Sequence, residues 1–511
     1  MAKNLLDHSS VNIGAAILST GADASPAVIY KNTVLTHGEL RQQATQVARG
    51  LLARGRQPGE RIVICAENCP FFVVAYLGVI RAGLVAVPVP PDVSAATLEQ
   101  LVRETESKEL LVSESSFKRL RPAAEKCQVV LQDETTLAPA ARSDSAPDWP
   151  KVDAASSLAA LIFTSGSTGV PKGVMVSHRN IAVNSQDIIG YLGLTAADRA
   201  MVVLPFHYCY GLSVLHTLLL AGGAVVLNNN FRLFPEAVLQ EMIQKKCTGL
   251  AGVPSTYQLL LRKSRFCQLR FPQLRWLQQA GGKLPNLQII EILQAFPQVR
   301  FYTMYGQTEA TARLSYLPPE RLGDKLGSIG CGLPATRLEV LTPAGMPVCP
   351  GSDEVGEIVA SGDNITRGYW NDPVETARFF RAGKLHTGDL ARVDAEGFIY
   401  IVDRDRDLIK SGGNRVSATE VEDVVAELPA VVAVAVLGVP HELLGEAVHA
   451  VIVAQSGAGL TAEAVRAHCW RRLAPFKVPE QVTFLEQLPQ NSAGKVLKPR
   501  LKEMLQSAAQ T

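Results

Sequence analysis

A chain of 511 residues, 47% of them apolar and 19% charged, has the balance of a globular protein with a large core, and its length suggests two to four domains. Fifty basic against 48 acidic residues leave a net charge of +2, too weak a field to hold nucleic acid or an anionic membrane surface. Nine scattered cysteines without C-x-x-C spacing argue against a disulfide scaffold or a zinc site and fit a reducing cytosol.

The N-terminal MAKNLLDHSSVN lacks the apolar centre of a signal peptide, so a cytoplasmic protein is expected. Thr36 and Glu39 form a capping-box pattern, and Leu40, Ala44, Val47, Ala48, Leu51 and Leu52 then share one helical face. Residues 61–65 (RIVIC) and 85–89 read as short strands. The most apolar stretch, 71–90, is broken by Arg81 and two prolines and reads as buried helix plus strand, short of a membrane span. Residues 134–156 are rich in Ala, Ser, Pro and Asp without a period, as a surface loop would be.

Residues 158–163 (LAALIF) predict a buried strand that opens into TSGSTGVPKG at 164–173. Glycines that admit close backbone approach, hydroxyl donors and a lysine together suit a polyphosphate. The loop is not the common G-x-x-x-x-G-K-[ST] motif: Pro171 stands where its second glycine belongs, and Gly173 follows the lysine. Further strands are predicted at 202–204, 224–227 and 299–304, with a helix over 234–244. The alternation predicts an α/β architecture. After about 330, runs at 338–341, 356–360 and 398–402 between Gly/Pro/Asp turns predict a small, mostly antiparallel β region. The last hundred residues read as a separate unit. It has a second capping pattern (Ser417, Glu420), strands at 431–439, 447–453 and 481–485, and a helix at 464–473. The charged run DRDRD at 403–407 marks the junction.

Four further segments stand in order with the Gly/Ser/Thr loop: YGQTE at 305–309, HTGDL at 386–390, DRDRDLIKSGGNRVSATEVE at 403–422 and NSAGK at 491–495. Together the five resemble the adenylate-forming superfamily of acyl-CoA synthetases, adenylation domains and beetle luciferase, over nearly the whole chain. The resemblance implies a large N-terminal α/β domain (1–403), with mixed sheets, flanking helices and a small β region. A small mobile α+β C-terminal domain (404–511) would follow. It also implies a two-step reaction, in which a carboxylate attacks the α-phosphate of MgATP and a thiol of coenzyme A or of a phosphopantetheinyl carrier protein then displaces AMP.

By the same resemblance, Thr164, Ser165, Gly166, Ser167, Thr168, Gly169 and Lys172 embrace the β- and γ-phosphates. Thr308 meets the α-phosphate, and Glu309, with Thr164, serves Mg²⁺. Gly281, Gly282, Tyr305 and Gly306 line the nucleotide and acyl pocket, with Tyr305 against the adenine. Asp389 accepts from the ribose hydroxyls, and Arg404 makes a second ribose or phosphate contact. Lys495 bridges the reacting carboxylate and the α-phosphate. Gly412 and Gly413 line the thiol tunnel after rotation. Arg406 takes the hinge position, where the family usually has Asp or Lys. His207 is expected to gate the carboxylate site or to hydrogen-bond the acid.

Amino-acid-activating relatives place an aspartate in the segment around His207, but no Asp or Glu occurs between Val202 and Leu233, which disfavours an ammonium-bearing substrate. The segments 253–257 and 280–282 and Met304, which the resemblance assigns to the substrate pocket, are neutral and suit a fatty or other neutral acyl group, or alternatively an aryl acid. Without a carrier segment after Lys495, a free-standing enzyme is expected. The competing readings are carrier-protein loading, a luciferase-type oxygenase and a non-catalytic acyl-AMP binder.

Overall fold

The computed structural model describes residues 10–137, 149–164, 171–404, 408–491 and 494–508, apart from the side chains of residues 404, 506 and 508. Two sheets dominate the large N-terminal part. In one, the strands Arg300–Tyr305, Trp276–Gln279, Gly249–Gly252, Arg199–Val202, Ala224–Leu227 and Pro26–Tyr30 lie side by side and parallel, edged by antiparallel Ser315–Leu317 and Thr33–Thr36. In the other, five parallel strands end at Leu158–Thr164, which turns back as an antiparallel hairpin into Lys172–Ser177.

The helix Pro70–Arg81 shows why the two sheets belong together. Residues 72–80 are all buried, and such a helix, apolar on every side, must be covered on every side. Its core cluster joins Val28 and Val225 of the first sheet to Ile62 and Ala86 of the second. The strand Val85–Val89, buried at all five positions, follows from the same double cover. The capping box at Thr36 and Glu39 is present and starts the helix His37–Ala53, with Leu52 only half-buried at the rim of the predicted face.

The region after 330 forms an antiparallel sheet that includes Thr336–Leu341, Gly356–Gly362, Lys384–Val393 and Ile399–Arg404. A smaller α+β unit follows, in which Ile409–Ser411, Asn414–Val416, Val431–His441, Gly445–Ala454 and Gln481–Phe484 form one sheet beside the helices Ala418–Val425, Ala462–Trp470 and Lys498–Ala508. The architecture is mixed α/β with a large N-terminal and a smaller C-terminal domain, as expected.

Two local expectations shift. The strand expected at 202–204 ends at Val202, because Asn68 takes over the next backbone groups: its amide donates to the Leu204 carbonyl (2.8 Å) and its carbonyl accepts from Phe206 N–H (2.9 Å). At Ser417 only half of the capping box forms. The serine hydroxyl accepts from Glu420 N–H, while the Glu420 carboxylate turns to Lys477 at 2.7 Å.

Candidate active site

Ligands of open parallel sheets bind beyond the carboxyl ends of the strands, where loops of successive strands face one another. Neighbouring parallel strands of the larger sheet deliver His207 (after Arg199–Val202), Val253 (after Gly249–Gly252), Gly281 and Gly282 (after Trp276–Gln279) and Gly306 to Glu309 (after Arg300–Tyr305) to that edge.

Gly306 is required by contact. A Cβ there would lie 1.8 Å from the Ala312 carbonyl oxygen, so the chain folds back on itself immediately after the strand. The short 3-10 turn Thr308–Ala310 follows, and Thr311 and Ala312 both adopt positive φ (62° and 128°). This turn holds Thr308 and Glu309 in place. The Thr308 hydroxyl donates to Cys209 Sγ at 3.3 Å, and Glu309 Oε1 accepts from the Tyr369 hydroxyl at 2.7 Å. Burial, reinforced by the Glu309 charge, drives the Tyr369 pKa far above its usual value, so it remains a donor.

Tyr369 joins this turn to the hairpin. It bridges Val174 through the backbone, and the Lys172 ammonium sits 5.7 Å over its ring. Lys172 itself pairs with Glu375, whose carboxyl it holds below the usual range. Thr164 and Lys172 are the last pair of the hairpin before its loop, and Tyr369 links Lys172 to the turn of Thr308 and Glu309. Ser165, Gly166, Ser167, Thr168 and Gly169 lie outside the described residues, as do Arg406 and the Arg404 side chain.

Asp389 lies in the strand Lys384–Val393, 3% exposed, and accepts from the Tyr305 hydroxyl at 2.5 Å. Tyr305 therefore aims its hydroxyl at the carboxylate expected to serve the ribose. Arg404 pairs with Asp389 in register on the adjacent strand. His207 is 7% exposed beside the Tyr208 ring (4.7 Å between centroids), and burial pushes its pKa down to about 4. At neutral pH it is an uncharged imidazole that can donate or accept, but cannot pair as a cation.

The C-terminal unit reaches the same edge through its 490s loop. The Ser255 hydroxyl donates to the Gly494 carbonyl at 2.9 Å, and Arg232 donates to the Asn491 carbonyl at 3.0 Å. Val253 is the common neighbour: a Cβ on Gly281 or on Gly494 would lie 3.1 Å from one or other of its methyl groups. Lys495, next in the chain, is exposed, and its backbone N–H donates to Asn491 Oδ1 at 2.9 Å. Lys283 also reaches across to Asp423 at 2.5 Å. Both partners are about one-third exposed (35% and 31%), and such a pair contributes roughly 0–1 kcal/mol, a latch far too weak to fix the unit permanently.

Gly412 and Gly413 stand apart from this cluster. They form the two-residue turn of a hairpin with positive φ at both (54° and 79°), as a tight primed turn demands, and Gly412 N–H donates to the Leu444 carbonyl within the C-terminal unit. Sequence reasoning passed over Tyr369, Glu375, Cys209 and Arg313. The aromatic pair in RGYWNDP (367–373) and the lone arginine after TEATA (308–312) were the available signals.

The AMP-binding enzyme profile matches residues 20–370, and that of the AMP-binding enzyme C-terminal domain matches 420–495. The chain belongs to the AMP-binding enzyme family. Feruloyl-CoA synthase of Amycolatopsis sp is 34% identical over 475 residues, covering 92% of this chain and 94% of the relative. Long-chain-fatty-acid–CoA ligase of Bacillus subtilis (strain 168) is 30% identical over 535 residues, covering 96% and 94%. Among solved structures, ATP-bound MatB from Rhodopseudomonas palustris superposes with a TM-score of 0.85 at 28% identity, over 97% of this chain and 99% of that one. Within the family the chain is an AMP-forming acid–thiol ligase. Among the described residues no helix is long and apolar enough to cross a membrane.

Proposed function

We propose that this chain joins a carboxylic acid to ATP on the edge just described and then passes the acyl group to a thiol, with residues 1–403 holding the nucleotide and residues 404–511 supplying a moving lysine. In the first step a carboxylate oxygen bonds to the α-phosphorus, the bond to the β-phosphate oxygen breaks and pyrophosphate leaves. Charge grows at the α-phosphate, so donors and cations fixed there before reaction give the main acceleration. Thr308 supplies a hydroxyl, and Lys495 supplies an ammonium shared with the incoming carboxylate. Lys172 exchanges Glu375 for the terminal phosphates, together with the hydroxyls of Thr164, Ser165, Ser167 and Thr168.

Glu309, with Thr164, would hold Mg²⁺ against the phosphates. Among the described residues no three His, Cys, Asp or Glu side chains come together, and Mg²⁺ commonly binds through one or two carboxylates plus phosphate oxygens. Asp389, oriented by Tyr305, accepts from the ribose hydroxyls, with Arg404 beside it. In the second step the C-terminal unit turns about Arg406 and brings the Gly412–Gly413 hairpin toward the site. A thiolate then attacks the acyl carbonyl, and AMP leaves.

For the acid, a carbon body of fatty or aryl type is favoured over an α-amino acid, because no carboxylate between Val202 and Leu233 could hold an ammonium. The single observation behind the whole reading is the Ser255–Gly494 bond, which brings the lysine loop to the strand edge bearing Gly281, Thr308 and Glu309. Acid-dependent exchange of labelled pyrophosphate into ATP, across aliphatic, aryl and amino acids, tests it. Exchange with at least one non-amino acid is expected, and none with any acid would favour a non-catalytic binder. Coenzyme A and a phosphopantetheinylated carrier protein, offered in parallel, decide the acceptor.

A further inference from the structure

Arg313 is 1% exposed, among the most deeply buried large side chains in the molecule. Among the described residues no carboxylate pairs with it, and its Nε–H meets no acceptor. A guanidinium cannot discharge itself by losing a proton, so burying one without a counter-ion is strongly unfavourable. Its surroundings place it behind the turn that carries Thr308 and Glu309. The guanidinium lies 5.0 Å over the ring of Tyr210, which follows Cys209, the partner of Thr308. It faces the hydroxyls of Tyr191 and Tyr210, and the Tyr210 hydroxyl also finds no well-formed hydrogen bond. Tyr191 in turn donates to Met304 Sδ at 3.2 Å and stacks on Tyr316 at 4.0 Å.

The position is fixed by the backbone. Asn184 and Asn364 both donate to the Arg313 carbonyl (2.8 and 2.9 Å), and the positive-φ pair Thr311–Ala312 delivers the residue inward from the turn that carries Thr308 and Glu309. Neutral phenols can solvate the cation but cannot neutralise it, which leaves the counter-ion to come from the ligand.

We propose that Arg313 determines specificity by pairing with a second carboxylate at the far end of the substrate, so that the preferred acid is a dicarboxylate with its carbon body among Tyr191, Tyr210 and Met304. This rests on the adenylation reading above, deepens it, and revises the expectation of a wholly neutral acyl group. The guanidinium fork suits a carboxylate bidentately, and the pair forms where water is excluded, so discrimination should be large.

The test measures kcat/KM for pyrophosphate exchange with matched acids: succinate, glutarate, adipate and terephthalate, each against the counterpart in which one carboxylate is replaced by methyl. The best dicarboxylate should exceed its partner by at least about tenfold in the unaltered enzyme. Arg313→Met should reverse that ratio, and Arg313→Lys should retain part of it. A methyl-terminated acid preferred by the unaltered enzyme overturns the proposal without any variant. So does an unchanged ratio in folded Arg313→Met. Either result leaves adenylation standing, whereas no exchange with any acid would remove adenylation itself.

Discussion

The Tyr305–Asp389 contact shows how one hydroxyl prepares a binding group. Asp389 is almost wholly buried, and a buried carboxylate needs donors; Tyr305 supplies one at 2.5 Å. Tyr305→Phe should raise the KM for ATP about five- to tenfold while changing kcat little, as steady-state pyrophosphate release would record. Gly306 admits no such adjustment, because a methyl group there meets a backbone oxygen at 1.8 Å. Gly306→Ala should lower Tm by several degrees and abolish exchange, since the turn carrying Thr308 and Glu309 must move. The glycine was legible in the sequence as part of YGQTE, but its physical reason was not, because Ala312 meets it only once the turn is folded. Arg313 was illegible for a related reason: a charged residue reads as exposed until the folded chain shows that it is not.

Among the elements, the hairpin Leu158–Thr164/Lys172–Ser177 and the 3-10 turn Thr308–Ala310 come together through Tyr369, which sits on neither. Periodicity recovered strands and helices well where one face was plainly apolar, as in His37–Ala53 or Val85–Val89. It overran the strand end at Val202, where the Asn68 side chain, 136 residues away from Leu204 in sequence, replaces a ladder partner. The capping pattern at Ser417 likewise lost its glutamate to Lys477, a competitor invisible in a local window. Between the two domains, the Lys283–Asp423 pair belongs to the arrangement that brings the 490s loop to Ser255. Lys283→Glu should slow acyl-adenylate formation about two- to fivefold, and adding Asp423→Lys should restore it, as pre-steady-state pyrophosphate release would show.

At the scale of the whole molecule, burial makes stability sensitive to acid. His178 and His207 are pushed down to about 4 and His216 to about 3, each mainly by burial. Unfolded, these groups take up protons near pH 6.5; folded, they resist. Their contribution is complete above pH 6.5 and is lost as pH falls toward 4, at about 1.4 kcal/mol per group and pH unit. Burial also raises Asp187 and Glu422, which offsets part of the loss. Tm measured by calorimetry should hold near pH 7 and fall steeply between pH 6 and 4.5; a flat profile would count against these neutral buried imidazoles. The two-domain plan was legible because five motifs stand in order along the chain, whereas the chemistry of the acid end was not, because it depends on a cation hidden behind a turn. The central claim is that the C-terminal unit lends its lysine to the first half-reaction. The direct measurement is a rapid-quench comparison of Lys495→Ala with the unaltered enzyme, following acyl-adenylate formation and, separately, thiol transfer from preformed acyl-adenylate. Loss of about 10²-fold or more in the first with little change in the second is predicted; equal loss in both would contradict the account.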